Sequence, residues 1–298
     1  MRALPSSCEL CPRCCGADRS AGERGVCGAS DTLRVARAAL HFWEEPPISG
    51  DAGSGTVFFS YCPLHCVYCQ NFRIANGNVG RDIDVGRLSR IFIELQEQGA
   101  LNINLVTPTH YVLQILDALD AARDLGLRLP VVYNTSGYEC PDTIAMLEGY
   151  VDLFLADFRY YDADAAGRYS HAADYPVVAF DAIRAMVETG ADVIVRILLL
   201  PGQLEHTKQA VSLLSREFGD SITFSMMSQY TPVEGIDAVR YPELTQRVSA
   251  ADYEELLDYM DAIGIEDYFW QDGDAAEESF IPDFESCEGV EASSVKRK

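Results

Sequence analysis

From residue 56 onward the apolar positions alternate between two periods. Thr56–Ser60 is a short β-branched and aromatic run, as strands require. Asp84 stands just ahead of Leu88, Ile91, Phe92 and Leu95, which fall on one helical face, and that helix is predicted to end near Gly99. Asn102–Val106 then reads as a strand, and Ile115, Leu116 and Leu119 mark a helix stopping near Gly126. Pro130–Asn134 is predicted as a third strand, followed by a short helix over Pro141–Gly149 with proline at its start. Val151–Ala156, Asp192–Leu200 and Ser221–Met227 continue the strands. Between and after them come helices around Phe180, Ile183 and Val187, over Glu205–Phe218, and from the capping pattern Ser249 to Asp252. Asp267–Gln271 is one more short strand. Upstream the pattern stops: Gly16, Gly22, Gly25 and Gly28 interrupt a cysteine- and arginine-rich stretch, and EEPPISGDAGSG (44–55) reads as a linker or turn.

Strands alternating with crossover helices make a parallel sheet. Six such units are too few to close an eight-stranded barrel, which leaves an open doubly-wound sheet or a partial barrel. Polar or unusual residues follow nearly every strand: Cys62, Thr107 to His110, Asn134 to Ser136, Asp157, Pro201-Gly202 and Ser228-Gln229. Barrels gather functional groups at many strand ends, whereas doubly-wound sheets concentrate them at one switch point. The expected fold is therefore α/β, a partial (βα)6 TIM-like barrel over residues 51–271. A Cys-rich segment, 1–50, precedes it, and an acidic tail, 272–298, is expected to be solvated and disordered.

Charge narrows the partners. The formal net charge is -23, and residues 1–50 contribute nothing to it, with six arginines against six carboxylates. No basic stripe offsets the acidity, which argues against nucleic acid. The N-terminus lacks the apolar run of a signal peptide, and no stretch has 18 uninterrupted apolar residues, so neither export nor a membrane is expected. Ten cysteines in such a chain point to metal or redox work in a reducing cytoplasm.

The densest chemistry is SYCPLHCVYCQN (60–71), where Cys62, Cys66 and Cys69 are spaced x3 then x2. Iron–sulfur clusters take one thiolate per iron, so three ligands on a four-iron cluster leave one iron open to substrate or cofactor. A zinc knuckle, or a trio completed by a distant cysteine, is the structural alternative. A non-catalytic iron–sulfur or zinc carrier is the alternative of another class, and it gives no reason for polar groups at most strand ends.

The C-x3-C-x2-C spacing with Tyr68 before the last cysteine resembles that of the radical S-adenosylmethionine (SAM) enzymes. CELCPRCCGADRSAGERGVCG (8–28), CVYCQNF (66–72), NINLVTPTHY (102–111), DLFLADFRYY (152–161), VRILLLPG (195–202) and SQYTPV (228–233) further resemble the pyruvate formate-lyase-activating-protein-like subgroup. The resemblance implies an oxidoreductase-type enzyme whose 4Fe–4S cluster, on Cys62, Cys66 and Cys69, cleaves S-adenosyl-L-methionine to a 5′-deoxyadenosyl radical that abstracts hydrogen. It implies an electron donor such as flavodoxin or ferredoxin, and a substrate that is the glycine loop of a glycyl-radical enzyme, another peptide or a small molecule.

For the cofactor the resemblance offers Tyr68, Thr107, Thr109, Asn134, Ser136, Asp157, Arg196 and Gln229. Thr107 and Thr109 stand where the wider family has Gly-Gly-Glu, a departure that leaves the ammonium partner open. Arg196 would be costly unpaired in VIVRILLL, so it faces the SAM carboxylate or an ion pair with Asp157 or Asp192. His110 is a proton carrier or a packing residue. In the N-terminal box the subgroup's set matches Cys8, Cys11, Cys15 and Cys27, a second site for zinc or an iron–sulfur cluster, with Cys14 as the extra; Cys140 and Cys287 are expected to be ordinary thiols.

Overall fold

The computed structural model describes residues 1–271 and 282–291. Its first half runs β1 (Leu33–His41), the short helix α1 (Pro46–Ser49), β2 (Ser54–Phe59), α2 (Phe72–Ala75), β3 (Arg81–Ile83), α3 (Val85–Glu97), β4 (Ile103–Val106) and α4 (Val112–Asp124). The second runs β5 (Val131–Thr135), α5 (Pro141–Ala145), β6 (Leu153–Asp157), α6 (Ala163–Ser170), α7 (Tyr175–Glu188), β7 (Asp192–Leu198), α8 (Leu204–Phe218), β8 (Thr223–Met227), α9 (Ala250–Ala262) and β9 (Tyr268–Trp270). Among the described residues the strands form one sheet in the order β3-β1-β2-β4-β5-β6-β7-β8-β9. From β2 to β9 every neighbouring pair is parallel, and β9 does not pair with the far edge, so the sheet is an open partial barrel.

Local chemistry explains the helix starts. The Asp84 carboxylate accepts from the Arg87 amide at 2.6 Å, and the Ser249 hydroxyl accepts from the Asp252 amide at 3.0 Å, satisfying donors that a helix leaves free. Leu88, Ile91, Phe92 and Leu95 on α3 are buried, as their spacing required.

Three stretches pack on the barrel more closely than their sequence announces. The segment 1–50 joins the sheet, because β1 pairs antiparallel with β2 and extends it. Residues 44–55, read as a linker or turn, do turn, but they also pack inward: Ile48 lies in the barrel interior with Val132, Leu155 and Ile194, and the Asn102 amide donates to its carbonyl at 2.7 Å. Not all of the acidic tail is solvated. Phe284, Cys287 and Val290 are buried, and the Ala38 amide donates to the Glu288 carbonyl at 2.8 Å. The rest of that tail, 272–281 and 292–298, lies outside the described residues.

Candidate active site

Successive side chains of a strand point to opposite faces. Val132 and Asn134, Leu155 and Asp157, and Ile194 and Arg196 are thus pairs facing inward. The first of each pair joins the apolar cluster around Ile48. The second lines a cavity of about 240 Å³ at the carboxyl ends of the strands. Cys62, Cys66 and Cys69 reach the same cavity from the loop between β2 and α2, and Tyr68, Thr107, Ser136 and Gln229 complete the set of expected residues that line it.

The cysteine loop and the end of β4 beside the cavity are held in costly backbone. Tyr61 (φ 77°), His65 (φ 52°) and Thr107 (φ 55°) are left-handed, a conformation that non-glycine residues keep only where surroundings enforce it. A Cβ on Gly77 would stand 2.0 Å from the Tyr61 ring, so glycine is required there. Arg13, from the N-terminal box, donates to the carbonyls of Pro63 (2.9 Å) and His171 (2.6 Å) and so ties the loop to the end of α6.

Cys66 has two donors that the sequence reading did not single out. The Ser170 hydroxyl lies 2.9 Å from its sulfur and donates to it, and Arg159 Nη1 donates at 3.4 Å. The Tyr160 hydroxyl lies 2.6 Å from Ser170 Oγ and 2.7 Å from the Tyr68 hydroxyl. Burial and the neighbouring Cys66 push the Cys62 thiol up to about 11, and burial with both partners pushes Cys69 up to about 12.

Asp157 sits between two guanidiniums. Arg196 Nε donates to Oδ1 at 2.8 Å and Arg159 Nη2 to Oδ2 at 2.6 Å. Burial acts to raise the Asp157 carboxyl, but Arg196 and Arg159 hold it below its ordinary value. Arg196 also donates to Asn134 Oδ1 at 2.7 Å and approaches Glu44 Oε2 at 3.5 Å. Its ion-pair partners among the described residues are Asp157 at 2.8 Å and Glu44 at 3.5 Å, and Asp192 is exposed at the start of β7. Glu44 was read as linker, yet its carboxylate accepts from Asn104 (3.3 Å) and Asn134 (3.2 Å). Burial pushes it up to about 7 despite Arg196.

Two residues from the Thr-Pro-Thr-His segment leave the cavity. Thr109 is buried in a single 3-10 turn and donates to Glu139 Oε1 at 2.6 Å, where Thr135 also donates at 2.5 Å. It is therefore placed behind the cavity wall, not in it. Burial pushes the Glu139 carboxyl up to about 7. His110 is buried, its Nε2 lies 2.8 Å from the Ser60 carbonyl, and burial drives it down to about 3. Burial thus favours the neutral imidazole, which packs on the Tyr111 ring.

In the N-terminal box Cys8, Cys11 and Cys27 are buried, Cys15 is half-buried and Cys14 is exposed. The Cys8 amide donates to Ala17, Gly16 donates back to the Cys8 carbonyl, and Cys14 donates to Cys11, all at 3.0 to 3.1 Å. Gly25 packs so closely on this fold that a Cβ there would lie 3.2 Å from Cys15 Sγ and 3.4 Å from Cys27 Sγ. Burial, with Cys27, Glu139 and Cys8 nearby, pushes the Cys11 thiol well up. Among the described residues neither cysteine group closes around a single ion. Burial and the adjacent Cys14 push Cys140 up to about 12, and Cys287 is buried under β1.

The profile of the radical SAM superfamily matches residues 56–214, more than half of the chain. The chain belongs to the radical SAM superfamily. Over 264 residues this radical SAM protein is 28% identical to the uncharacterized protein MJ0674 of Methanocaldococcus jannaschii, covering 85% of this chain and 73% of the relative. It is similar in fold to Streptococcus suis SuiB bound to S-adenosylmethionine, with TM-score 0.55 and 17% identity over 71% of this chain and 48% of SuiB. For SuiB bound to precursor peptide SuiA the TM-score is 0.51 and the identity 15%, over 71% of this chain and 46% of SuiB. The chain thus spans about half the length of these solved proteins. Membership in the superfamily implies a 4Fe–4S cluster, and the donor set fits one. Three thiols of a single loop line one cavity together with Asn134, Asp157 and Arg196, and cysteine sulfurs are the donors that iron–sulfur clusters take.

Proposed function

We propose that the protein is a radical SAM enzyme whose Cys62, Cys66 and Cys69 hold a 4Fe–4S cluster and whose strand-end cavity holds S-adenosyl-L-methionine. One observation carries this reading: three sulfurs of one loop share a cavity with inward polar groups of β5, β6 and β7. When bound, the cluster and S-adenosylmethionine supply one-electron cleavage of the sulfonium and the hydrogen abstraction that follows. The chain's own residues position and exclude water. Asn134, fixed between Glu44 and Arg196, presents a rigid polar edge to the cavity, beside Ser136, Thr107 and Gln229. Tyr68 packs on Tyr160, Tyr169 and Tyr230 and forms a dry wall next to the cysteine loop. Ser170 and Arg159 donate toward Cys66 and hold that sulfur at the cavity.

The proposal extends to a one-electron donor of the flavodoxin or ferredoxin type and to a cytoplasmic setting; no described helix is long and apolar enough to cross a membrane. The N-terminal box is proposed to hold zinc or a second cluster in a structural role. The substrate is a polypeptide segment admitted at the open seam of the barrel, the glycine loop of a glycyl-radical enzyme. Modification of another peptide is the second reading, favoured by the likeness in fold to SuiB bound to its precursor peptide. The test is anaerobic reconstitution with iron and sulfide, followed by dithionite and S-adenosylmethionine. Release of 5′-deoxyadenosine, abolished in Cys66→Ala, supports the enzyme. A redox-silent ion on this loop, with no release from the wild type, sinks it.

A further inference from the structure

The guanidiniums of Arg159 and Arg196 share the Asp157 carboxylate. Arg19, inside the N-terminal box, is 1% exposed, yet no carboxylate of the described residues pairs with it. Its Nη2 donates to the carbonyls of Ser30 and His110, the latter at 3.3 Å. Its Nε and Nη1 are buried and have no hydrogen-bond partner among the described residues. A cation taken out of water without an anion is costly, and its spare donors mark the place of a negative charge.

The sulfurs of the box can supply that charge. Cys15 and Cys27 both lie against Gly25, Cys8 is within hydrogen-bond reach of Cys15, and Cys27 and Cys8 both act on Cys11. The amides of Arg13, Ala17 and Ala29 each donate toward the sulfur two residues earlier, on Cys11, Cys15 and Cys27. Donors of this kind favour the charged form of the atom they face. Burial pushes the Cys27 thiol up, and the Ala29 amide and the Arg19 charge act against it. Four thiolates outweigh the double positive charge of a zinc ion or of an oxidised 4Fe–4S core, so a loaded box is an anion. We infer that Arg19 is the counter-cation of a metal–tetrathiolate centre on Cys8, Cys11, Cys15 and Cys27, and that its charge helps to hold the metal there. That the box holds a metal rests on the function proposed above; that Arg19 is buried without a carboxylate does not.

The test uses the full chain carrying Cys62→Ser, Cys66→Ser and Cys69→Ser, so that the loop takes no metal. This parent chain is loaded anaerobically with zinc, or with iron and sulfide, and the retained metal tells which centre forms. The concentration of EDTA that strips half of it is then compared with and without Arg19→Met. A hold weakened about 10–100-fold in Arg19→Met supports the inference, provided that the stripped variant unfolds no earlier than the stripped parent. Without its anion the guanidinium is a cost, and losing it does no harm. An equal hold, or an equal fall in Tm in the loaded and the stripped chains, overturns the inference alone. If Arg19→Met does not fold, Arg19→Gln, which keeps a donor for the Ser30 and His110 carbonyls, must show the weakening in its place, and an unchanged hold there also overturns it. A parent chain that retains neither zinc nor iron refutes the metal site of the box, and the inference falls with it.

Discussion

The cysteines of the N-terminal box and those of the loop after β2 lie close enough for Arg13 to brace both, yet their sulfurs meet different surroundings. In the box most sulfurs are buried under tight backbone turns, and Gly25 packs directly onto two of them. On the loop, each sulfur faces a cavity that also receives Asn134, Asp157 and Arg196. The first arrangement resists change in the fold, and the second leaves room for a ligand. Spacing makes both look like metal sites; what separates them is whether polar groups from distant strands converge on the sulfurs.

The sharpest way to break this comparison is to remove sulfurs from the box. On the structural site proposed for the box, Cys8→Ser with Cys11→Ser is expected to cost at least about 3 kcal/mol of stability in thermal unfolding. The folded fraction is expected to keep its loop iron and its 5′-deoxyadenosine release per cluster, and iron and zinc analysis of wild type and variant shows whether a metal leaves with the two sulfurs. Equal loss of loop iron would erase the distinction. Next in size, Asp157→Asn leaves Arg159 and Arg196 facing each other without their shared anion. Breaking a buried ion pair costs about 3–5 kcal/mol, read as a fall in denaturation midpoint.

Glu139 lies between the two regions, behind the cavity wall. Its folded value, about 7, stands above the ordinary 4.5, so the fold favours the protonated form. Its contribution is therefore full below about 4.5 and is lost as pH rises toward 7. Glu139→Gln, which keeps a carbonyl for Thr109 and Thr135, is expected to gain up to about 3 kcal/mol at pH 8, and the gain shrinks toward zero by pH 4. Unfolding curves at the two pH values check it. The smallest effect concerns Cys66. Ser170→Ala removes a donor to the sulfur and is expected to disfavour cluster reduction about tenfold, a shift of roughly 60 mV to lower potential for one electron. A redox titration followed by electron paramagnetic resonance reads this, and Ser170→Thr should restore it.

The helix and strand units were legible because their cues are local: Asp84 and Ser249 cap, and the apolar period repeats. The strand-end residues Thr107, Asn134, Asp157, Arg196 and Gln229 were legible as interruptions of apolar runs, and they do meet in one cavity. Thr109 did not follow, because one 3-10 turn carries it behind the wall. β1 escaped notice since a register shift between Val35 and Arg37 breaks its alternation, and β3 has only three residues. Glu44 and Glu45 carried the signature of a turn, and a turn's sequence does not tell whether it lies outside a barrel or within it. Ser170 and Arg159 act through a sulfur about a hundred residues away, which no local pattern can announce.

The passage of residues 44–49 through the interior has a practical consequence for anyone who wants to transplant the catalytic unit. The stretch that matches the superfamily begins at residue 56, after this plug and after β1. A graft trimmed at that boundary would deliver a vessel without its stopper: Val132, Leu155 and Ile194 would lose Ile48, and Asn134 would lose the carboxylate that aims it. The unit worth moving starts no later than Leu33 and carries its own cork.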